Sequence, residues 1–290
     1  MTPNLRGSLF MVAAMAGFAI EDAFLKAAAR EMPLGQVMVL IGLAGMLAFG
    51  LQARAAGQPA LPAALFSRGM ALRSGFELAG RLFYSLAIAL TPISVASAIL
   101  QATPLVVVLG AAVIFGERVG LGRWLAVAAG FAGVLMILRP GLDGFDALSL
   151  LALTGMLGFA GRDLATRAAP RTLSNAQLGV AGFAVLGLSG AVLLAVSQDV
   201  AMPTAHALLF TAATALFSVL GYGALTSAMR TGEVAVVTPF RYTRLVFALM
   251  LAVLVYGERP DAMTLLGSAV IVASGIFALT RRRITQPIVD

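Results

Sequence analysis

Apolar residues run along this chain in blocks of roughly twenty, separated by short clusters of charge, proline and glycine. A helix needs ~20 apolar residues to cross hydrocarbon, so each block predicts a span. Placing boundaries at the polar clusters gives ten: 5–28, 34–55, 70–90, 93–115, 121–138, 147–169, 176–196, 207–229, 234–256 and 263–280. The fifth stops at Arg139-Pro140-Gly141, and the last is followed by Arg281-Arg282-Arg283 and a short polar tail. The intervals are too short for a separate soluble domain.

One block breaks the pattern. From Val234 to Tyr256 it is long enough to span, yet it holds Pro239, Arg241, Tyr242 and Arg244. An arginine at membrane depth costs at least ~2.5 kcal/mol unless it faces protein or water. Arg244 lies fourteen residues from Arg230, roughly 21 Å along a helix. That depth is too great for easy snorkelling, so something polar elsewhere in the chain must meet this helix.

The second half repeats the first at an offset of 141. Gly17-Phe18-Ala19 returns as Gly158-Phe159-Ala160, Asp22 as Asp163, Gln36 as Gln177 and Pro62 as Pro203. Lys26 becomes Arg167, and Gly116-Glu117-Arg118 returns as Gly257-Glu258-Arg259. Each half holds five spans, an odd number, so the second must enter the membrane from the opposite side. The expected fold is an all-α integral membrane protein, with ten transmembrane helices in two inverted five-helix repeats, residues 1–141 and 142–290. In that architecture the site lies near the midplane where the halves meet.

Composition agrees: 60% of residues are hydrophobic and 11% charged, against roughly 25% charged in a soluble domain. The net charge of +7 does not point to nucleic acid, because the basic residues sit mostly at span ends. With both termini inside, twelve of the 20 lysines and arginines fall on the inner side, four on the outer and four within spans. The positive-inside rule therefore expects cytoplasmic termini. There is no cysteine and one histidine, His206, which excludes disulfides, thiol catalysis and a histidine-cysteine metal cluster. No cleavable signal peptide is evident before the first span. No Walker motif or catalytic triad is visible, so no enzyme activity, metal or other cofactor is expected.

The two five-helix halves, Asp22-x-x-x-Lys26 ending the first span, and the Gly-Glu-Arg motif at 116–118 and 257–259 resemble the EamA type of the drug/metabolite transporter superfamily. The resemblance covers essentially the whole chain and is closest to the YddG-type exporters of amino acids and related metabolites. It implies a basket-like bundle in the bacterial inner membrane, exporting by alternating access. Many such proteins carry a basic residue just after the proline that opens the second helix. Here Pro33 is followed by Leu34-Gly35-Gln36, which warns against carrying over substrate identity.

The candidate site residues are the polar and aromatic ones within spans. Glu77 and Arg81 are four apart and can pair. The pair either neutralises itself or lines the pathway with Tyr84, where Glu77 would be sensitive to protons. Asp22 with Lys26, and Asp163 with Arg167, repeat that spacing and read first as structural pairs, or as members of a charge relay. Glu21 and Arg162 occupy equivalent repeat positions with opposite charge and could bridge the halves. Of Arg241 and Arg244, one would neutralise Glu77 or Asp163 and the other would hold a substrate carboxylate, Arg244 being the substrate candidate and Arg241 the relay one. Phe18, Tyr84, Tyr222 and Tyr242 would supply an aromatic wall, and Gln101 a polar contact beside Pro104. Trp124 reads as an interface anchor.

The residues and the resemblance together predict a secondary transporter of small amphipathic solutes, amino acids first, held by the lipid bilayer and working without a partner subunit. The alternatives are uptake or exchange of another metabolite, such as a nucleotide-sugar or S-adenosylmethionine, or a lipid flippase.

Overall fold

The computed structural model describes residues 1–115, 120–139, 146–166, 172–231 and 234–280. It is helical throughout, and no strand occurs among the described residues. The helices are α1 (Pro3–Glu31), α2 (Leu34–Ala55), α3 (Arg68–Leu90), α4 (Ile93–Leu100), α5 (Thr103–Phe115), α6 (Leu121–Leu138), α7 (Ser149–Ala165), α8 (Asn175–Ser197), α9 (Ala205–Thr231), α10 (Val234–Val237), α11 (Thr243–Leu254) and α12 (Ala262–Thr280).

Local sequence explains where they begin. Thr2 accepts from the Leu5 amide at 3.3 Å, with Pro3 in the first turn. Ser67 caps α3. At α8, Ser174 and Gln177 form a reciprocal capping box. Each such cap satisfies amides that a helix start leaves orphaned. Asp261 accepts from the Thr264 amide at 2.8 Å and pairs with Arg139 at the end of α6. Those bonds, with Arg139 first, hold the Asp261 carboxyl down at about 2.

Among the described residues, five helical stretches are long and apolar enough to cross a membrane: Pro3–Glu31, Leu34–Ala55, Ile93–Ile114, Asn175–Ser197 and Ala205–Met229. Shorter apolar helices cover Trp124–Leu138 and Ala262–Ala278. The other expected spans contain α3 and α7, which carry buried charge, and the interrupted α10–α11. Leucines such as Leu43, Leu47, Leu51, Leu209, Leu216 and Leu220 project outward and stay exposed. Apolar surface on that scale fits a lipid environment and not water.

The helices pair across the chain: α1 with α9, α2 with α8, α3 with α7, α6 with α12, and α4 with α11. Each pair takes one member from either half of the sequence. Glycines sit at the crossings, because in lipid the packing force is close van der Waals contact. Gly17 meets Gly221, Gly80 meets Gly158, Gly133 meets Gly267, and Gly42 meets Gly187. Two glutamines clamp loops at equivalent repeat positions. Gln36 exchanges two bonds with the backbone of Ala201, at 3.1 and 2.9 Å, and Gln177 donates to the Pro59 carbonyl at 2.9 Å.

Two expected spans are not continuous. The fourth breaks at Gln101-Ala102 into α4 and α5. Pro104 has no N–H to offer the Leu100 carbonyl, and the Thr103 hydroxyl donates to that carbonyl instead, at 2.5 Å. The ninth passes from α10 through a 3-10 segment, Thr238–Tyr242, into α11. The two prolines do not align at the repeat offset, yet the two breaks do: Gln101 falls opposite Tyr242. The Gln101 amide donates to the Arg241 carbonyl at 3.2 Å, tying one break to the other.

A Cβ on Gly42 would lie 2.5 Å from the Cα and N of Gly187, backbone atoms that cannot move cheaply. Gly42→Ala is expected to cost about 1–3 kcal/mol through overpacking. Gly75→Ala, with open space around the new Cβ, should be neutral or stabilise by up to ~1 kcal/mol. Thermal unfolding of both variants in detergent checks the contrast.

Candidate functional site

The broken helices and their neighbours enclose a central cavity of about 450 Å³. Its wall draws on α1 (Phe18, Glu21, Asp22), α3 (Arg81, Tyr84), the α4–α5 break (Gln101, Thr103), α7 (Phe159, Arg162, Asp163), α9 (Tyr222) and the 3-10 segment with α11 (Thr238, Arg241, Tyr242, Arg244). Breaks in a helix are tolerated at membrane depth only where the backbone lines a cavity or is buried in protein. Both breaks here line this one.

Charge on the wall is arranged as two clusters. In the first, Arg244 donates to Asp22 at 2.6 Å, and the Tyr84 hydroxyl donates to the same carboxylate oxygen at 3.1 Å. The Arg244 guanidinium lies 5.3 Å from the Phe18 ring centroid and 5.6 Å from that of Tyr84. Arg81 approaches Glu21 at 3.9 Å. In the second cluster, Arg162 donates twice to Asp163, at 2.7 and 3.0 Å, and its guanidinium lies 4.9 Å from the Phe159 centroid. Arg241 reaches Asp163 only at 4.0 Å. Behind the wall, Glu77 is 1% exposed and pairs with Arg73 at 2.8 Å and with Arg162 at 3.7 Å.

The structure brings Phe18, Asp22, Arg81, Tyr84, Gln101, Arg162, Asp163, Tyr222, Arg241, Tyr242 and Arg244 to one cavity. It corrects several pairings. Glu77 does not bond Arg81. It reaches one turn back to Arg73, while Arg81 turns towards α1, and Glu77 does not line the cavity. Asp22 does not pair with Lys26, because Arg244 and Tyr84 already hold it. Lys26 instead donates to the carbonyls of Ile88, at 3.2 Å, and Thr91, where α3 ends. A cation there complements the helix C-terminus. Glu21 and Arg162 do not pair with each other, since each meets an α3 residue instead: Arg81 for Glu21, and Glu77, across the halves, for Arg162. Arg244, expected to be the substrate-facing cation, is itself held by the Asp22 carboxylate at 2.6 Å. Arg167 and the first Gly-Glu-Arg motif, 116–118, lie outside the described residues.

Three participants escaped the sequence reading. Phe159 is the repeat mate of Phe18 and was findable from that alignment. Arg73 precedes Glu77 by four residues, the same spacing that singled out Arg81. Glu258 had a motif but no assigned task. Its carboxylate accepts from the amides of Ile93, at 2.8 Å, and Ser94, at 3.1 Å, and from the Ser94 hydroxyl at 2.7 Å. It thus caps α4 from across the bundle, as a carboxylate at a helix N-terminus should. Beside it Tyr256 donates to the Ala23 carbonyl. With Lys26, these contacts form a layer across the bundle beyond Leu25, the last α1 residue on the cavity wall.

Tyr242 is held from behind. Its hydroxyl lies where a side chain on Gly275 of α12 would sit, so only glycine at 275 leaves the ring in place.

The model of the EamA-like transporter family matches residues 5–139 and again residues 147–280. A riboflavin transporter of Rhizobium johnstonii is 30% identical over 66% of this chain and 63% of its own length. The match thus spans less than two thirds of that relative. The pseudopaline exporter CntI of Pseudomonas aeruginosa is 28% identical over 96% of both chains. An S-adenosylmethionine uptake transporter of Rickettsia prowazekii is 27% identical over 68% of this chain and 65% of its own. None of these three is named for amino acids. A solved crystal structure 18% identical in sequence superposes with a TM-score of 0.63, covering 94% of this chain and 96% of that one. It supports the fold alone.

Glu77→Gln leaves Arg73 and Arg162 short of a buried carboxylate, so a loss of about 3–5 kcal/mol is expected. Thermal unfolding of the purified variant measures it. A variant as stable as the unaltered chain would place Glu77 outside the structural network.

Proposed function

The chain belongs to the EamA-like transporter family, and on that premise we propose that its central cavity carries a small amphipathic organic solute across the bacterial inner membrane by alternating access. The observation that carries this reading is the wall itself: guanidinium and carboxylate groups facing an enclosed volume, interleaved with Phe18, Tyr84, Phe159, Tyr222 and Tyr242. Arginine forks suit carboxylates, and aromatic faces take apolar bodies. Amino acids, exported by a secondary active mechanism, are the solutes the family resemblance suggests first.

In this reading residues 1–141 and 142–290 are inverted repeats making ten spans, with both termini cytoplasmic. Three observations support it: helix pairs that each join the two halves, glutamine clamps at equivalent positions, and a family model that matches twice. With that orientation, the layer formed by the contacts of Lys26, Tyr256 and Glu258 lies on the outer side of the cavity and acts as its outer gate.

A second reading is uptake or exchange of a larger metabolite. The relatives' names, which include riboflavin and S-adenosylmethionine, favour it. So does the volume, since about 450 Å³ falls within the ~300–1,000 Å³ typical of pockets for drug-sized ligands.

Counterflow into liposomes holding the purified chain, with amino acids and riboflavin as probes, tests the proposal. Accumulation of one probe is expected, reduced ~10-fold or more in Arg244→Ala, which strips a partner from the wall. Full transport by that variant would remove Arg244 from the pathway. The gate has its own test, helped by the absence of native cysteine. A cysteine placed at Ser85 on the cavity wall should label from outside severalfold faster when Glu258→Gln is added. An unchanged rate would reject the layer as a gate.

A further inference from the structure

Charge at and behind the cavity wall does not balance among the described residues. Five arginines, Arg73, Arg81, Arg162, Arg241 and Arg244, meet four carboxylates, Glu21, Asp22, Glu77 and Asp163. The carboxylates can be assigned one to one by their nearest guanidinium: Asp22 to Arg244 at 2.6 Å, Asp163 to Arg162 at 2.7 Å, Glu77 to Arg73 at 2.8 Å and Glu21 to Arg81 at 3.9 Å. Arg241 is left over. The carboxylate it approaches, Asp163, is already bonded twice by Arg162 and stands 4.0 Å away. Lys26 does not alter the count, because it is spent on the carbonyls that end α3 and faces Glu258.

An uncompensated guanidinium at membrane depth is costly, and a fold has no reason to keep one that serves packing alone. Arg241 is also placed to act. Its side chain is 32% exposed, against 15% for Arg244, and it opens onto the cavity. It rides on the 3-10 segment whose position is fixed by the bond from Gln101 to its own carbonyl. On the same segment Thr238 lines the cavity with a buried hydroxyl that has no partner, a second group able to donate to an incoming anion.

We infer that the transported solute is a monoanion whose carboxylate docks on Arg241, with the Thr238 hydroxyl beside it, and which brings no cation of its own. The inference rests on the transport reading of the central cavity and narrows its substrate class. An anion neutralises the surplus charge, so it enters a wall that gains by its arrival. A zwitterion leaves the surplus in place, and a cation adds to it. The substrate-facing and structural arginines are therefore the reverse of what their sequence positions suggest: Arg244 anchors α1 to α11, and Arg241 receives the solute.

Thermal unfolding of the purified full chain tests this before any substrate has been identified. Arg241→Gln removes an unbalanced charge and should raise the Tm by about 2–4 °C, a gain of the kind seen when function is traded for stability. Arg244→Gln strips Asp22 of its cation and should lower it. Phenylacetate should raise the Tm of the unaltered chain and of Arg241→Lys but not of Arg241→Gln, and phenylacetamide should raise none of them. A fall in Tm for Arg241→Gln comparable with that for Arg244→Gln would make Arg241 a structural partner of Asp163 and overturn the inference. Stabilisation by phenylacetamide equal to that by phenylacetate, or none by phenylacetate, would overturn it too. Liposome counterflow, with phenylacetate added to the amino-acid and riboflavin probes, separates the two failures. If no probe accumulates there, the transport reading falls; if one does while the Arg241 signature is absent, only the anion assignment falls.

Discussion

A guanidinium or carboxylate inside a bilayer persists only if the protein supplies its counter-charge and excludes lipid from it. That constraint organises this molecule. Asp22 on α1 is held by Arg244 from α11 and by Tyr84 from α3. Asp163 on α7 is held by Arg162 and approached by Arg241 from the 3-10 segment. Elements distant in sequence must converge to satisfy each cluster. The helix pairs that close the bundle deliver them, and glycine at the crossings lets the backbones come close enough to do so. The cavity is what remains between the two clusters.

The residues that repeat between the halves and those that do not meet at the cavity. Phe18 and Phe159 occupy equivalent positions, and each lies beneath a guanidinium, Arg244 for one and Arg162 for the other. Asp22 and Asp163 are likewise equivalent. Yet the cations come from different places: from the facing broken span for Asp22, and from the neighbouring residue for Asp163. Gln101 and Thr103 in the first half stand where Tyr242 and Arg244 stand in the second. This asymmetry leaves Arg241 in excess on one wall. A symmetric pair of half-sites would present the same face to a solute from both sides; this cavity presents two.

Much of this was legible in the chain. Apolar blocks bounded by charge revealed a helical membrane protein, because hydrocarbon thickness sets a length that composition displays directly. The ordered repeat at an offset of 141 marked which residues correspond between the two halves of the sequence. Most of the intramembrane polar residues singled out line the cavity, because a polar group at that depth has few places to go. Glu77 was the exception, since burial between Arg73 and Arg162 serves a charged side chain as well as a cavity wall does.

Pairing was not legible. Arg73 and Arg81 lie equally far from Glu77 along one helix, and only the packing of α3 against α7 and α1 turns one towards it and the other away. Lys26 lies one turn from Asp22, but the free carbonyls at the end of α3 capture it. Glu258 caps a helix start 164 residues away from it in sequence, at Ser94. The chain by itself indicated that charges are buried and on which helices most of them lie. Only the tertiary structure decided which of them neutralise one another, because ion pairing depends on distances of a few ångströms between helices, and spacing along one helix does not fix those.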